Sequence, residues 1–575
     1  MSMILGIDLG TTNSSCAFYD GRDVVLVPND RGMRTTPSVI AMSDDGELLV
    51  GESARNQAVL HPASTISKAK RLMGTGTQLS FGKGKIRPEE AASYLLARLK
   101  ADAEAYLGET VQEAVVTVPA YFSEAQRRAT REAARLAGLE VRRLLNEPTS
   151  AAVAWAWASN RSFGMDEAER HVLVFDLGGG TFDVTVLSMQ GEECRVLAAC
   201  GDNSLGGSDF DALLLDKVLS SFRVELGEDF ARDDPIILQQ LIDLVERAKI
   251  ELSVRESASI VLPFSGRGSM VHPSLKLARS EFEALIAPHI DRSLALVAQA
   301  VEEAGLDTGM IDRLILSGGS SRIPLVRRKL AALFGKEPEG RINPEEIVAF
   351  GAAVYASLAS GKLSGLKVQD ALSRSFGVEI DGDEFIGIIA KNSPVPIVCK
   401  RTFTTVADNQ ASVEIHVLQG ESSRASENVS LGRFLLSGIR PGKRGEPRID
   451  LEFSVDSDEI LHVRARDIDT SASHAVTISA SPEGAPKPNS GRLRSLAARV
   501  AALKVYASGD LSFQAELEDA VVATERTVTR LVKAEEAELD EGRTLQPELV
   551  SEAGAVTMTL ETIVAELESR RPVGG

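Results

Sequence analysis

Two copies of a short motif in this chain carry the residue types of a phosphate and metal site. The first reads Ile7-Asp8-Leu9-Gly10-Thr11-Thr12 and the second reads Phe175-Asp176-Leu177-Gly178-Gly179-Gly180-Thr181-Phe182-Asp183. In each copy an apolar run ends in Asp and is followed by a Gly/Thr turn. Glycine lets the backbone approach a ligand closely, and successive N–H groups in such a turn form a nest for an anion. The carboxylates supply the oxygen ligands that Mg²⁺ prefers.

The duplication favours one nucleotide held between two related lobes. A single copy is explained well enough by an ordinary β-turn with an incidental Asp. Two copies that share Asp-Leu-Gly and a following Thr favour a paired site instead. The residues before each turn, 3–7 and 171–175, are short apolar runs bounded by turn residues, which is typical of buried strands.

Other motifs for nucleotides and metals are absent from the sequence. It contains no Gly-x-x-x-x-Gly-Lys-Ser/Thr and no His-Glu-x-x-His, which excludes a P-loop ATPase and the common zinc protease pattern. The four cysteines (Cys16, Cys194, Cys200 and Cys399) lack Cys-x-x-Cys spacing, which favours reduced thiols over zinc or disulfides. Any nucleotide chemistry must therefore use the duplicated turns.

Composition narrows the class of protein. A length of 575 residues suggests several domains of roughly 100–200 residues each. The net charge of −19 argues against a general nucleic-acid binder. No apolar stretch approaches the roughly 18–20 residues that a bilayer requires, and the N-terminal residues lack the basic region of a secretory signal. We therefore expect a cytoplasmic protein with no nucleic-acid or membrane partner.

The pattern along the chain changes three times. Residues 1–364 alternate strands with helices, which is typical of α/β layers; one predicted helix begins after Ser123, with Gln126 completing a capping box, and ends at Gly138. Residues 365–371 are a short linker. Residues 372–481 show the period-2 alternation of a β-sandwich. Residues 482–575 follow a proline-rich break and are predicted to form an α-helical lid and tail.

Ten motifs in order resemble those of the heat-shock protein 70 (DnaK-type) molecular chaperones, over nearly the whole chain. They are Gly6–Ser14, Lys70–Gly74, Thr117–Phe122, Asn146–Thr149, Asp176–Asp183, Leu205–Asp211, Glu246–Lys249, Gly318–Pro324, Asp408–Gln410 and Ile415–Glu421. The resemblance implies a multidomain protein: an actin-like ATPase of two duplicated lobes, a β-sandwich peptide-binding domain and a short helical lid. It also implies ATP hydrolysis coupled to the binding of unfolded polypeptides.

The resemblance assigns roles to the residues of the cleft. Asp8 and Asp176 would hold Mg²⁺ through its water shell, and K⁺ is a further candidate ion. Lys70 would neutralise the γ-phosphate and orient the attacking water, with Glu147, Asp183 and Thr181 completing the network. The remaining residues would contact ATP or ADP: Gly10, Thr11, Thr12, Asn13, Gly178, Gly179, Gly180, Gly206, Gly207, Glu246, Lys249, Ser253, Gly318, Gly319, Ser320 and Arg322.

Further positions match the family's switch and peptide channel. Pro119 and Arg127 match a relay of the nucleotide state, and Arg143 and Asp370 match residues that engage a J-domain co-chaperone. Six residues match the peptide channel: Val378, Phe403, Val406, Gln410, Val413 and Ile415. The alternative that Val413 and Ile415 are ordinary sandwich core stays open. We expect a mainly monomeric protein, and the need for a nucleotide-exchange factor stays open.

Several departures from the family pattern predict a specialised member, similar to the HscC-like branch. The stretch between Lys70 and Pro119 is short, so we expect a trimmed lobe and fast nucleotide exchange. In the linker, Lys367 and Gln369 replace usual apolar residues, which predicts lost apolar burial and weak coupling between the domains. Asp381 stands where an apolar residue usually closes over the bound peptide.

Two rival functions share the ATPase fold. An actin-like filament protein has no need of residues 372–570. A sugar or acetate kinase requires a base for a second substrate in the cleft, and Lys70 with Glu147 fits hydrolysis better.

Overall fold

The computed structural model describes residues 3–160, 168–226, 234–262, 273–340, 342–380, 382–469 and 473–477. The chain divides into two compact units, one of residues 1–373 with 391–395, the other of residues 374–390 with 396–575. The linker residues 365–371 therefore belong to the first unit. The predicted lid (482–575), the last residues of the predicted sandwich (478–481) and Asp381 lie outside the described residues.

The first unit contains strands β1–β18. Their bounds are Ile4–Asp8, Asn13–Tyr19, Val24–Leu26, Thr36–Pro37, Val39–Met42, Leu48–Val50, Thr65–Ser67, Leu79–Phe81, Gly84–Ile86, Glu113–Val118, Glu140–Asn146, Arg170–Leu177, Phe182–Gln190, Glu193–Asp202, Ser257–Val261, Ser274–Ala278, Ile311–Ser317 and Lys367–Gln369.

The same unit contains helices α1–α9. They span Glu52–Ala58, Pro88–Leu107, Glu124–Leu136, Glu147–Asn160, Gly207–Leu226, Pro235–Val254, Arg279–Glu303, Pro324–Phe334 and Ile347–Ala359. Short 3₁₀ helices include Ala69–Leu72 and Gly319–Arg322. None of the helices in the described ranges combines the length and hydropathy that a bilayer crossing needs.

The two large sheets of this unit repeat one arrangement. The first sheet has the order β11-β10-β1-β2-β3, with β4 also pairing with β2, and the second has the order β17-β12-β13-β14-β18. In both, the strand that ends in the motif Asp pairs antiparallel with the next strand and parallel with a later one. The sheets define the first and second lobes, and the duplication seen in sequence is therefore also a duplication of topology.

Each lobe has its own apolar core. The core of the first lobe includes Leu5, Ile7 and Leu96, and that of the second includes Phe175, Phe182 and Phe210, all of them buried. The two strands that end in Asp8 and Asp176 run through these cores. Tight packing on both sides fixes where the strands end, and hence where the Asp side chains lie.

The capping box predicted at Ser123 is confirmed. The Ser123 hydroxyl accepts a hydrogen bond from Gln126 N at 3.3 Å, and Gln126 Oε1 accepts one from Ser123 N at 2.9 Å. Helix α3 ends at Leu136, and Gly138 has a φ of 72°. That left-handed backbone favours glycine, as the sequence indicated.

The second unit contains strands β19–β26. They span Phe376–Ile380, Glu384–Ile389, Ile397–Thr404, Ser412–Gln419, Val429–Ser437, Arg448–Val455, Leu461–Asp467 and Ser473–Thr477. They form two four-stranded antiparallel sheets with the orders β20-β19-β22-β23 and β21-β24-β25-β26. Burial alternates along β24 and β25, which agrees with the period-2 pattern of the sequence.

Candidate active site

The two Gly/Thr turns abut each other at the junction of the lobes. A Cβ atom added to Gly179 would lie 2.0 Å from Thr12 Oγ1, and one added to Gly180 would lie 2.7 Å from Thr11 Cγ2. Only glycine allows this approach of one turn to the other. Within the second turn, Gly178 N donates to Thr181 O at 3.1 Å. The two turns predicted to hold one phosphate chain are therefore brought together.

A cavity of about 960 Å³ opens beside these turns. Most of the residues predicted to bind nucleotide or metal line it: Asp8, Gly10, Thr11, Thr12, Asn13, Lys70, Glu147, Asp176, Gly178, Gly179, Thr181, Glu246, Lys249, Ser253, Gly318, Gly319, Ser320 and Arg322. Gly180, Gly206, Gly207 and Asp183 are not part of the lining. Gly206 and Gly207 support the second turn from behind, where Gly207 N donates to Gly178 O at 3.0 Å.

A buried lysine pairs with a buried carboxylate in the cavity wall. Lys70 Nζ is 2.5 Å from Glu147 Oε1, and these residues are only 7% and 8% exposed. Glu147 is the first residue of α4, where the helix dipole favours a negative charge. Asp183 is paired in register with Asp176 across β13 and β12, and it accepts a hydrogen bond from Tyr121 N at 3.0 Å.

Burial, and then the charge of neighbouring carboxylates, raises the pKa of three aspartates at the site. Burial and then the charge of Glu147 raise the pKa of Asp8 to about 7, and the same two causes raise the pKa of Asp183 to about 7. The pKa of Asp176 is also raised, first by burial and then by Glu147, Asp183 and Asp8. A bound cation would relieve this repulsion, so the site has the charge that a metal–phosphate complex requires.

The donor set fits Mg²⁺. Asp176 Oδ2 is buried and has no hydrogen-bond partner among the described residues, and an unpartnered carboxylate oxygen is a costly feature that a hydrated hard cation would satisfy. Within the described ranges, no three His, Cys, Asp or Glu side chains form a direct metal cage. The role of Asp8 and Asp176 through the water shell of the ion stays a prediction.

The stability of the protein without nucleotide and metal is expected to fall as pH rises from 3.8 through about 7. A carboxyl of Asp8 or Asp183 ionises near 3.8 in the unfolded chain and near 7 in the folded chain. Between these values only the folded state holds the proton, so stability is lost as pH rises from 3.8 through about 7. Thermal unfolding in EDTA across this range measures the slope, which Asp183→Asn should flatten and the exposed Asp45→Asn should leave unchanged. An equal slope for both variants would contradict the assignment.

The far end of the cavity is formed by α6 and the 3₁₀ turn after β17. Lys249 Nζ contacts Asp211 at 2.8 Å and Gly207 O at 3.1 Å, so this lysine ties α6 to the start of α5. Arg322 donates to Asn343 at 2.5 Å. Ile250 and Val254 also face the cavity and are 58% and 81% exposed.

Three charged residues of the site were missed by the sequence argument. Arg55 pairs with Glu246 at 2.6 Å, and Arg71 pairs with Asp209 at 2.6 Å. Both pairs join the first lobe to the second. Arg71 and Asp209 lie inside two of the motifs that resemble the family's, Lys70–Gly74 and Leu205–Asp211, so the sequence could have indicated them. Nothing in the local sequence marks Arg55.

A family model described as Hsp70 protein matches residues 4–81 and 75–569. The chain belongs to the Hsp70 family. Members of the Hsp70 family are ATPases that bind nucleotide with Mg²⁺, and they act as chaperones of unfolded polypeptides. The mixed α/β lobes and the antiparallel sheets described above fit the family's actin-like ATPase and β-sandwich.

The residues matched to the Hsp70 switch lie directly behind the carboxylates. Arg127 is 1% exposed and donates to Asn146 Oδ1 at 2.7 Å and to Ala120 O at 3.3 Å. Asn146 immediately precedes Glu147. Pro119 follows β10 and leads into Tyr121, whose N–H donates to Asp183. Movement of either Arg127 or the Pro119 turn would therefore displace a carboxylate of the site.

The segment predicted to be the linker lies against the second lobe as an added edge strand. Residues Lys367–Gln369 pair in parallel with Glu193–Arg195 of β14. Asp370 is 2% exposed, and its carboxylate contacts Arg143 at 3.3 Å and Thr149 Oγ1 at 2.7 Å. Arg143 and Asp370 are thus brought together, and Thr149 is a further partner of Asp370; the engagement of a J-domain co-chaperone by Arg143 and Asp370 stays a prediction.

The expected loss of apolar burial in the linker is wrong for this arrangement. Lys367 and Gln369 are exposed, whereas Leu366 and Val368 pack against buried apolar side chains. A strand alternates its faces, so the two polar replacements fall on the outer face. They remove little apolar contact, and the inner face keeps the residues that hold the linker.

The five apolar residues matched to the peptide channel divide into three groups by their exposure. Val378 and Ile415 are 2% and 4% exposed and therefore lie in the sandwich core, which agrees with the alternative kept open for Ile415. Phe403 and Val413 are half-buried, and Val406 is 57% exposed.

Gln410 organises the turn that presents Val406. Its Oε1 accepts hydrogen bonds from Val406 N at 3.0 Å and Ala407 N at 3.3 Å, and its Nε2 donates to Ser412 O at 3.0 Å. Most of its hydrogen-bonding capacity is therefore used inside the turn, and its predicted contact with a peptide stays a prediction.

Proposed function

We propose that this chain is an ATP-dependent molecular chaperone. It hydrolyses ATP to ADP and phosphate in the cleft between the lobes, and the nucleotide state changes its affinity for extended apolar segments of unfolded proteins. The observation that carries the proposal is the buried Lys70–Glu147 pair among Asp8, Asp176 and Asp183, beside two abutting phosphate turns. Membership of the Hsp70 family supports the same activity.

The residues of the cleft have separate roles in ATP hydrolysis. The N–H groups of the two turns bind phosphate oxygens, and Lys70 supplies positive charge where negative charge develops. Glu147 orients Lys70 and accepts a hydrogen bond from the attacking water, and Asp183 completes the network of negative charge next to the cavity. Mg²⁺, when bound near Asp8 and Asp176, would neutralise phosphate charge. Since phosphoryl transfer depends mainly on positioning and electrostatics, this set needs no nucleophilic side chain.

The peptide site is proposed to lie on the second unit, around Phe403, Val406 and Val413. Their exposed or half-buried apolar surfaces suit an extended apolar segment, which would add backbone hydrogen bonds. Gln410 would shape this site by holding the turn of Val406. We further propose a J-domain partner at Arg143 and Asp370, a mainly monomeric state, a cytoplasmic location and an HscC-like specialisation.

The test of the function follows the phosphate of radiolabelled ATP. Incubation of the purified chain with ATP and Mg²⁺ should release inorganic phosphate without any added acceptor, and an unfolded apolar peptide should change the rate. Appearance of a phosphorylated sugar or acid would support a kinase instead. ATP-dependent sedimentation of polymers would support a filament protein.

Nucleotide release is expected to depend on the Arg55–Glu246 pair. The pair is partly exposed, at 30% and 21% of the two side chains, and joins the first lobe to Glu246, which lines the cavity. Such a pair contributes up to about 1 kcal/mol, so Arg55→Ala should speed ADP release by about two- to fivefold. Stopped-flow release of a fluorescent ADP measures this. The control is Arg31→Ala, whose guanidinium contacts Ser53 within the same lobe; equal acceleration by both variants would contradict the assignment.

The same assay tests the proposal of fast exchange. The short segment between Lys70 and Pro119 supports weak dependence on an exchange factor. Slow ADP loss that a factor accelerates strongly would overturn that part of the proposal.

A further inference from the structure

Arg71 crosses from the first lobe to the second immediately beside Lys70. Its Nη2 lies 2.6 Å from Asp209 Oδ2 and its Nη1 lies 3.4 Å from Asp209 Oδ1. The same guanidinium donates to Gly180 O, from Nε at 3.1 Å and from Nη2 at 2.8 Å. Arg71 therefore holds a carboxylate and the carbonyl of the second phosphate turn at once.

Asp209 and the second turn form one connected body. Asp209 Oδ2 also accepts a hydrogen bond from Gly206 N at 2.8 Å. The residues that follow Gly206 donate to the turn, from Gly207 N to Gly178 O at 3.0 Å and from Ser208 N to Gly179 O at 2.8 Å. A displacement of Asp209 would therefore also move the backbone of the second phosphate turn.

The guanidinium also fills the space between the two turns. A Cβ atom added to Gly180 would lie 2.9 Å from Arg71 Nε and 2.7 Å from Thr11 Cγ2. Arginine suits this place because its planar fork presents several donors in a fixed geometry, which lysine cannot reproduce. The contacts of Arg71 therefore join the first lobe to the second at the phosphate turns.

The backbone links this contact to the reacting groups. Lys70 and Arg71 share the short 3₁₀ helix Ala69–Leu72, so fixing Arg71 also fixes the backbone from which Lys70 extends. Lys70 points to Glu147, and Arg71 points to Gly180 and Asp209. Two neighbouring residues therefore reach the two sides of the phosphate site.

We propose that Arg71 is a positioning residue that places Lys70 against the second phosphate turn when the cleft closes. The inference rests on the proposed ATPase function and adds a requirement to it: hydrolysis needs the Arg71 contact in addition to bound ATP. The side chains of Arg71 and Asp209 are 25% and 27% exposed, so solvent screens the pair in part. The pair fixes the position of Lys70, which matters because a displacement of a reacting group by about 1 Å can lower the hydrolysis rate about 100-fold.

Single-turnover hydrolysis and equilibrium ATP binding separate positioning from binding. Arg71→Ala should slow hydrolysis by about 10- to 100-fold, while the Kd for ATP changes by less than about threefold. Arg71→Lys should recover part of the rate, since it keeps the charge and loses the fork. Arg135→Ala, which removes a surface pair with Glu132 on α3, should change neither quantity.

A second experiment changes Asp209, the ion-pair partner of Arg71. Asp209→Asn should slow hydrolysis, and the double variant Arg71→Ala with Asp209→Asn should be no slower than Arg71→Ala, because Arg71→Ala alone already removes the Arg71–Asp209 contact. A hydrolysis rate for Arg71→Ala within twofold of wild type overturns this inference alone. So does a loss of rate that is matched by equal losses of ATP affinity and thermal stability. Absence of hydrolysis by the wild-type chain overturns the proposed function and the inference with it.

Discussion

Replacing Lys70 with methionine is expected to slow ATP hydrolysis by a factor of about 10² to 10³ while ATP still binds. Lys70 lines the cavity and pairs with Glu147, and its charge lowers the raised pKa values of Asp8 and Asp183. Methionine keeps the length and the apolar stem of the side chain. The variant therefore removes the charge that stabilises the transferring phosphoryl group and leaves the phosphate turns in place.

Single-turnover hydrolysis with radiolabelled ATP measures the rate, and titration with a fluorescent ATP analogue measures binding. Lys85→Met is the matched control, because Lys85 is exposed on β9 and does not line the cavity. A Lys70→Met rate within about threefold of wild type would show that the reaction does not occur where we place it. If Lys70→Met loses ATP binding as well as hydrolysis, Lys70 contributes to substrate affinity and not to the catalytic step.

Replacing Asp370 with alanine is expected to remove most of the ATP-driven release of peptide. The Asp370 carboxylate is nearly fully buried and contacts Arg143 and Thr149 at the end of the linker strand. Truncating a buried, hydrogen-bonded carboxylate leaves its partners in an apolar setting, which costs about 3–5 kcal/mol in comparable cases. The linker strand should then leave β14, and the acceleration of peptide release by ATP should fall at least about tenfold.

The dissociation rate of a fluorescent peptide after mixing with ATP measures this effect. Val368→Asp is a second route to the same result, since Val368 is the half-buried member of the strand and packs on the core of the unit. Lys367→Ala is the control, because its side chain lies on the exposed face. Normal coupling in both Asp370→Ala and Val368→Asp would contradict the role of the docked linker, and so would loss of coupling in Lys367→Ala.

The local features of the site could be predicted from sequence because each depends on a few neighbouring residues. The apolar runs before Asp8 and Asp176 are strands, and the Ser123–Gln126 box begins a helix as predicted. The alternation of apolar and polar residues in the linker could also be read from the sequence. Because its polar residues stand at positions 367 and 369, the period of a strand already places them on one face, and the expected loss of burial overlooked this.

The contacts between distant segments could not be predicted in the same way. Arg55 and Glu246 are far apart in the chain and meet only because the two lobes face each other. The burial of Val378 and the use of the Gln410 amide inside its own turn depend on how the sheets and turns pack. Charge and residue type indicate that such partners are needed, but tertiary structure decides which residues they are.

Peptide affinity in the two nucleotide states tests the central claim most directly. A fluorescent, extended apolar peptide should dissociate from the full chain at least about ten times faster with ATP and Mg²⁺ than with ADP and Mg²⁺. The Lys70→Met variant, which binds ATP without hydrolysing it at a useful rate, should remain in the fast-releasing state. Equal peptide affinity and equal dissociation rates with ATP and ADP would contradict the claim that this chain is an ATP-driven chaperone.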